Sequence, residues 1–98
     1  MTHYNIIGQS YYLGQEVKPD KNCNGWTAIN KGDTLAWVNG VPLKPYPPGH
    51  PELSGESFGV SGNEQEVYDG RIKIVFDNSV GTNPWIVIVQ KFYIKLGQ

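Results

Sequence analysis

A chain of 98 residues with 39% apolar content builds one hydrophobic core, so residues 1–98 read as one domain. Charged residues make up 17% and the formal net charge is −1; a phosphate-binding surface needs clustered Lys and Arg, so this balance argues against nucleic acid as the main partner. Cys23 is the only cysteine, so an intramolecular disulfide is excluded and synthesis in a reducing cytoplasm is expected.

In chain order, the first elements are strands over Tyr4–Ile7 and Ser10–Val17, interrupted at Gly8 and Gly14. The start, Met1-Thr-His-Tyr-Asn-Ile-Ile-Gly8, lacks the basic head and long apolar run of a signal peptide. Pro19 to Gly25 is a turn-rich loop, followed by strands over Trp26–Asn30 and Thr34–Asn39. Asn39-Gly40 tolerates positive φ at both centres of a type I′ turn, so Val41–Leu43 is the return arm of a β-hairpin. Trp37, flanked by apolar neighbours, is expected in the core.

Pro45, Pro47, Pro48 and Pro51 then remove amide donors and lock φ, which predicts a stiff surface excursion instead of an interior strand. Strands resume over Ser57–Val60, Glu66–Tyr68, Arg71–Asp77 and Pro84–Leu96. Tyr68-Asp-Gly-Arg71 repeats the hairpin grammar of Asn39-Gly40. In the last strand Ile86, Ile88, Phe92 and Ile94 share one parity, with Gln90 as its polar member, while Trp85, Val87 and Val89 share the other. That strand is expected to be central at its start and to reach solvent or a partner at its end. No apolar stretch approaches the roughly 20 residues needed to cross a bilayer, so no membrane insertion is expected. About eight short strands with frequent turn signals predict an all-β fold, a single antiparallel β-sandwich or jelly-roll-like barrel.

The residues that carry chemistry are sparse. His3, His50 and Cys23 are the chain's nitrogen and sulfur ligands, but their spacing is irregular and Met1 is a poor axial ligand, so no metal and no cofactor is expected. Cys23 sits among Asn22, Asn24 and Gly25, which is turn chemistry and not the surroundings of an activated nucleophile; a buried thiol is expected. The acids are scattered, with Asp33 and Asp69 at turn positions, and no catalytic residue is assigned. The aromatic residues remain. Planar rings anchor protein interfaces and also stack on sugars. Tyr46 in the proline loop is the first candidate for an exposed ring, and Tyr11-Tyr12 must place one ring on each face of a strand.

Four segments share a cadence: Ile29-Asn-Lys-Gly-Asp-Thr34, Val38-Asn-Gly-Val-Pro-Leu43, Gly55-Glu-Ser-Phe-Gly-Val-Ser-Gly-Asn63 with its continuation to Val75, and Asn83-Pro-Trp-Ile-Val-Ile-Val-Gln-Lys-Phe-Tyr93. Together they resemble small β-sandwich structural and accessory proteins from virions of phages infecting Bacteroidetes. The usual short Pro-Gly-Glu-Ser bend of that pattern is swollen here into Pro45–Gly55. The resemblance implies a non-enzymatic virion protein, made in a bacterial cytoplasm, that binds capsid or other particle proteins through loops and a sheet edge and can form a homo-oligomer. The residues expected to touch the partner are Tyr46, Pro47, Pro48 and His50, with Tyr11 or Tyr12 as a second patch. The alternative is a carbohydrate- or receptor-binding module, with Trp26, Tyr12 and Tyr46 as stacking platforms for a glycan.

Overall fold

The computed structural model describes residues 2–20, 23–61, 68, 70–77, 79 and 81–95, with the backbone alone at 2–5, 61 and 93–95. Eight strands form two four-stranded antiparallel sheets: β1 (Thr2–Tyr11), β2 (Gln15–Val17), β3 (Cys23–Asn30), β4 (Ala36–Val38), β5 (Val41–Leu43), β6 (Ser57–Ser61), β7 (Ile72–Phe76) and β8 (Ile86–Lys95). No helix long and apolar enough to cross a membrane occurs among the described residues.

The pairing has a simple origin. β4 pairs with β5, β3 with β6, β2 with β7 and β1 with β8, as in one long hairpin whose tip is Asn39-Gly40. Rolling that hairpin adds the pairs β3·β8 and β4·β7, giving the sheet orders β1-β8-β3-β6 and β2-β7-β4-β5. This is an eight-stranded jelly roll, a β-sandwich in which every long crossover passes between the sheets.

The tip forms as its sequence predicts. Asn39 and Gly40 have φ of 51° and 81°, the two positive values a type I′ turn needs. Asn39 also ties the tip to β7, since its amide donates to Lys73 O at 2.9 Å and its Oδ1 accepts from Lys73 N at 2.8 Å. The hairpin expected at Tyr68-Asp-Gly-Arg71 turns on Asp69 and on a strand at Glu66 and Val67, which lie outside the described residues.

Strand alternation fills the core. Trp26 and Ala28, Ala36 and Val38, Leu43, Ile72, Ile74 and Phe76, and Ile86 and Ile88 point between the sheets. β8 is central at its start, as its two apolar parities predict: it lies between β1 and β3, with Val87 and Val89 half-buried on the outer face. Gln90 is buried with the inner set and holds the β2–β3 loop, accepting from Asp20 N at 2.8 Å and donating to Asp20 Oδ2 at 3.3 Å.

Two expectations are corrected. Trp37 is not in the core. It sits between Ala36 and Val38, whose side chains fill the interior, so alternation turns its ring outward beside Pro42 and Val75, where it is half-buried. Gly8 does not interrupt the first strand, because β1 runs through it against Val89. β1 and β8 overhang the sandwich, which gives extents of 49 × 25 × 17 Å and a radius of gyration of 14.5 Å, against about 13 Å for a compact chain of this length.

Candidate docking surface at the loop end

Four connections gather at one end of the sandwich, β1–β2, β3–β4, β5–β6 and β7–β8, because each sheet's strands finish or begin there in register. The proline segment is the largest of them. Its base is closed where Lys44 N donates to Glu56 Oε1 (2.8 Å) and Glu56 N donates to Lys44 O (2.9 Å). Gly55 N donates to Asn30 O at 2.8 Å, an approach only glycine permits, since a Cβ there would lie 2.2 Å from Lys44 O.

Asn30 is the hub beneath this base. Fully buried at the end of β3, its Nδ2 donates to Thr34 O (2.8 Å) and Leu43 O (2.9 Å), and its Oδ1 accepts from Gly32 N (3.0 Å). Three of the four hydrogen bonds an Asn side chain can make therefore join β3, the β3–β4 turn and β5. Sequence reading placed Asn30 at a strand end and gave it no role; a polar residue between two apolar strands was the available signal.

Above the base, the loop is two consecutive reverse turns. His50 N donates to Pro47 O at 3.0 Å around Pro48-Gly49, with Gly49 at φ 81°, which is a type II turn with Pro at its second position and Gly at its third. Leu53 N then donates to His50 O at 3.0 Å around Pro51-Glu52. His50 Nδ1 meets Glu52 Oε1 at 2.9 Å, and Lys31 Nζ reaches Ser54 Oγ at 2.7 Å. Glu52 is held below the usual carboxylate range by its own backbone amide first and by His50 second. Pro47, Pro48, His50 and Leu53 are exposed at the tip, and the Tyr46 ring is half-buried at its root.

The neighbouring turns are locked to each other. Asp33 Oδ1 accepts from Asn83 N (2.7 Å) and Thr82 N (3.0 Å), and Oδ2 from Thr82 N (3.2 Å). These amides, Asn83 foremost, hold the Asp33 carboxyl below its ordinary value. Asp33, Lys44, Pro45, Tyr46, Pro47 and Pro48 line an open groove of about 580 Å³. Beside it Tyr12 stacks on Trp85 with centroids 6.2 Å apart and planes at 21°. Leu13 and Leu53, 73% and 51% exposed, extend the apolar part of this end; sequence reading passed over both.

Tyr46, Pro47, Pro48, His50 and Tyr12 thus share one end of the molecule. Tyr11 does not join them as an exposed ring: it faces inward, packs on the core and donates from its hydroxyl to Gln9 Oε1 at 2.8 Å, with burial and then Asp20 raising its pKa. Trp26 is corrected outright as a sugar platform. Its parity on β3 puts it in the core at 2% exposure, with edge contacts to Phe58 (5.7 Å) and Tyr68 (5.8 Å).

Cys23 is fully buried at the opposite end, where Asn24 is the extra residue of a bulge between β3 and β8. Its Sγ donates to Gly25 O at 3.1 Å, and burial pushes the thiol up. Cys23 and His50 lie at opposite ends of the sandwich, and the side chain of His3 lies outside the described residues. No group of three or more His, Cys, Asp or Glu that could hold a metal ion occurs among the described residues. No family model matches the chain, and neither a curated protein nor a solved structure matches it significantly.

Proposed function

We propose that this chain is a non-enzymatic virion component, made in a bacterial cytoplasm, that docks on a capsid or other particle protein with its loop end. One observation carries the reading: the loop over residues 44–56 is fixed at its base and folded into two hydrogen-bonded turns while its tip stays exposed. A contact loop already in one conformation loses little conformational entropy on binding, which removes one of the costs of association. Pro47, Pro48 and Leu53, with Tyr12 and Leu13 nearby, supply apolar anchors, and His50 with Glu52 supplies a polar rim. Jelly rolls recur in capsid and in lectin domains, so the fold is compatible with this role without selecting it.

Replacing residues 47–53 by a short Gly-Ser link is the test. Co-sedimentation with particles from the same source should be lost, while unfolding free energy changes by only about 1 kcal/mol because the base contacts at Lys44, Gly55 and Glu56 remain. Undiminished binding by a folded variant would sink the reading.

The groove beneath the tip supports a second reading, a glycan site. Asp33 is fixed beside Tyr46, a carboxylate next to a ring. A glycan array separates the two: binding abolished by Tyr46→Ala would favour the sugar, and no binding would remove it.

A further inference from the structure

We propose that β1 is a self-pairing edge: two copies of the chain join β1 to β1 antiparallel across a twofold axis, fusing two four-stranded sheets into one of eight.

The four sheet edges of the sandwich are unequal. β2 has three residues, including Glu16, and is followed by Lys18 and Pro19; β5 has three, with Pro42 removing an amide donor; β6 has five, with Gly59 at its centre. Short length, charge and proline are the features that keep an edge from pairing with another chain. β1 has none of them. It runs ten residues, Thr-His-Tyr-Asn-Ile-Ile-Gly-Gln-Ser-Tyr, without proline or a Lys, Arg, Asp or Glu. Among the described residues its only strand partner is β8, so its other edge is open.

The middle of β1 is open on both faces as well. Ile6, Gly8 and Ser10 are exposed on the outer face, and Ile7 and Gln9 are exposed on the inner face, where short β2 leaves them uncovered. Of the six exposed large hydrophobic side chains among the described residues, four lie in β1 and the bend that follows it: Ile6 (64%), Ile7 (43%), Tyr12 and Leu13. Two isoleucines in the middle of an unguarded edge strand are an arrangement that sequences of stable monomers avoid.

The edge fits a second copy of itself. Across a twofold normal to the sheet, opposed residues must share parity, so the two central registers place Ile6 against Ile6 or Ile7 against Ile7. Such pairs are favourable across strands, and an uncharged strand meets no like charge when it pairs with itself. A foreign strand would be selected by charges or by side-chain pockets along the edge. The described part of β1 carries no Lys, Arg, Asp or Glu, and the hollow that Ile6 borders with Val89 and Lys91 is small, about 140 Å³.

This inference is independent of the loop-end reading and is tested without the particle. Sedimentation equilibrium from about 1 μM to about 1 mM should show the wild-type chain passing from monomer to dimer. Ile6→Lys sets like charges opposite one another in the Ile6 register and Ile7→Lys does so in the Ile7 register, so the lysine at the centre of the pairing should weaken association at least tenfold, while Leu53→Lys at the loop end should leave it unchanged. Should the lysine variants not fold, hydrogen exchange on the wild type decides: β1 amides should gain protection as concentration rises, and amides of β5 and β6 should not. A wild-type monomer at the highest concentration, association that survives both lysines, concentration-independent β1 exchange, or loss of association in Leu53→Lys would each overturn the proposal.

Discussion

Replacing Asn30 by alanine removes the side chain that joins the β3–β4 turn, β5 and the base of the proline loop. Gly32 N keeps a partner, since it also donates to Trp85 O at 3.1 Å, but Thr34 O and Leu43 O lose the Nδ2 donor. A buried carbonyl left unpaired costs about 1–3 kcal/mol, and the vacated side-chain volume adds to this, so about 2–4 kcal/mol is expected in total. That is a large part of the roughly 5–15 kcal/mol that holds a small domain together. Urea unfolding followed by tryptophan fluorescence should therefore show the midpoint falling by on the order of 1–2 M. Asn30→Asp is the control: a buried carboxylate retains the acceptor for Gly32 N but has no donor for the two carbonyls, so at neutral pH it should cost at least as much as alanine. A shift below about 0.5 kcal/mol for alanine, or a milder effect for aspartate, would refute the assignment of Asn30 as the hub.

Two glycines test backbone geometry separately from space. Gly40→Ala, at φ 81° with nothing within 4 Å, should cost only the left-handed penalty of about 1–2 kcal/mol, whereas Gly81→Ala should cost more, since its Cβ would lie 2.5 Å from Asp33 O; paired urea midpoints read the difference. Asp33 gives a pH prediction. Its folded pKa lies below the ordinary 3.8, so its stabilising contribution is fully present above that value and is lost as pH falls through the lower, folded value. The stability gap between wild type and Asp33→Asn, measured by urea titration, should accordingly be constant near neutrality and shrink in acid; a gap that widens in acid would reverse the sign. Trp26→Ala should cost about 3–5 kcal/mol and Trp37→Ala markedly less, about 1–2 kcal/mol, as equilibrium unfolding would show.

The parts of the fold that depend on local chemistry were readable in the chain. Asn39-Gly40 specifies its own turn through two residues that accept positive φ, and Ile72, Ile74 and Phe76 declare a buried face by their alternation. Pro48-Gly49 likewise dictates the bend at the loop tip. What could not be read depends on partners distant in sequence. Trp26 and Trp37 look alike as rings within apolar strands, and only the parity set by their neighbours across the sheet puts one inside and the other outside. Asp33 is a turn aspartate until the β7–β8 loop, about fifty residues on, brings two amides to it. The open edge of β1 was equally hidden. A ten-residue uncharged strand is silent about whether it lies in the middle of a sheet or at its margin, and that distinction decides between a core element and an interface.

The loop end and the β1 edge make different demands on a partner, and their geometry relates them. Tyr11 ends β1 at the loop end, and antiparallel pairing reverses the strand direction from one copy to the other. A twofold through Ile6 or Ile7 therefore points the two proline loops in opposite directions. A dimer of this kind does not grip a single site with both loops; it spans two. Breaking the β1 pairing should then leave single-site docking intact while abolishing any cross-linking of two particle proteins, and removing residues 47–53 should do the reverse, sparing the dimer and abolishing docking. Light scattering of particle mixtures separates these outcomes, because bridging raises the scattering mass far more than decoration does. Ile6→Lys and the shortened loop giving the same result would mean that the two surfaces do not act separately.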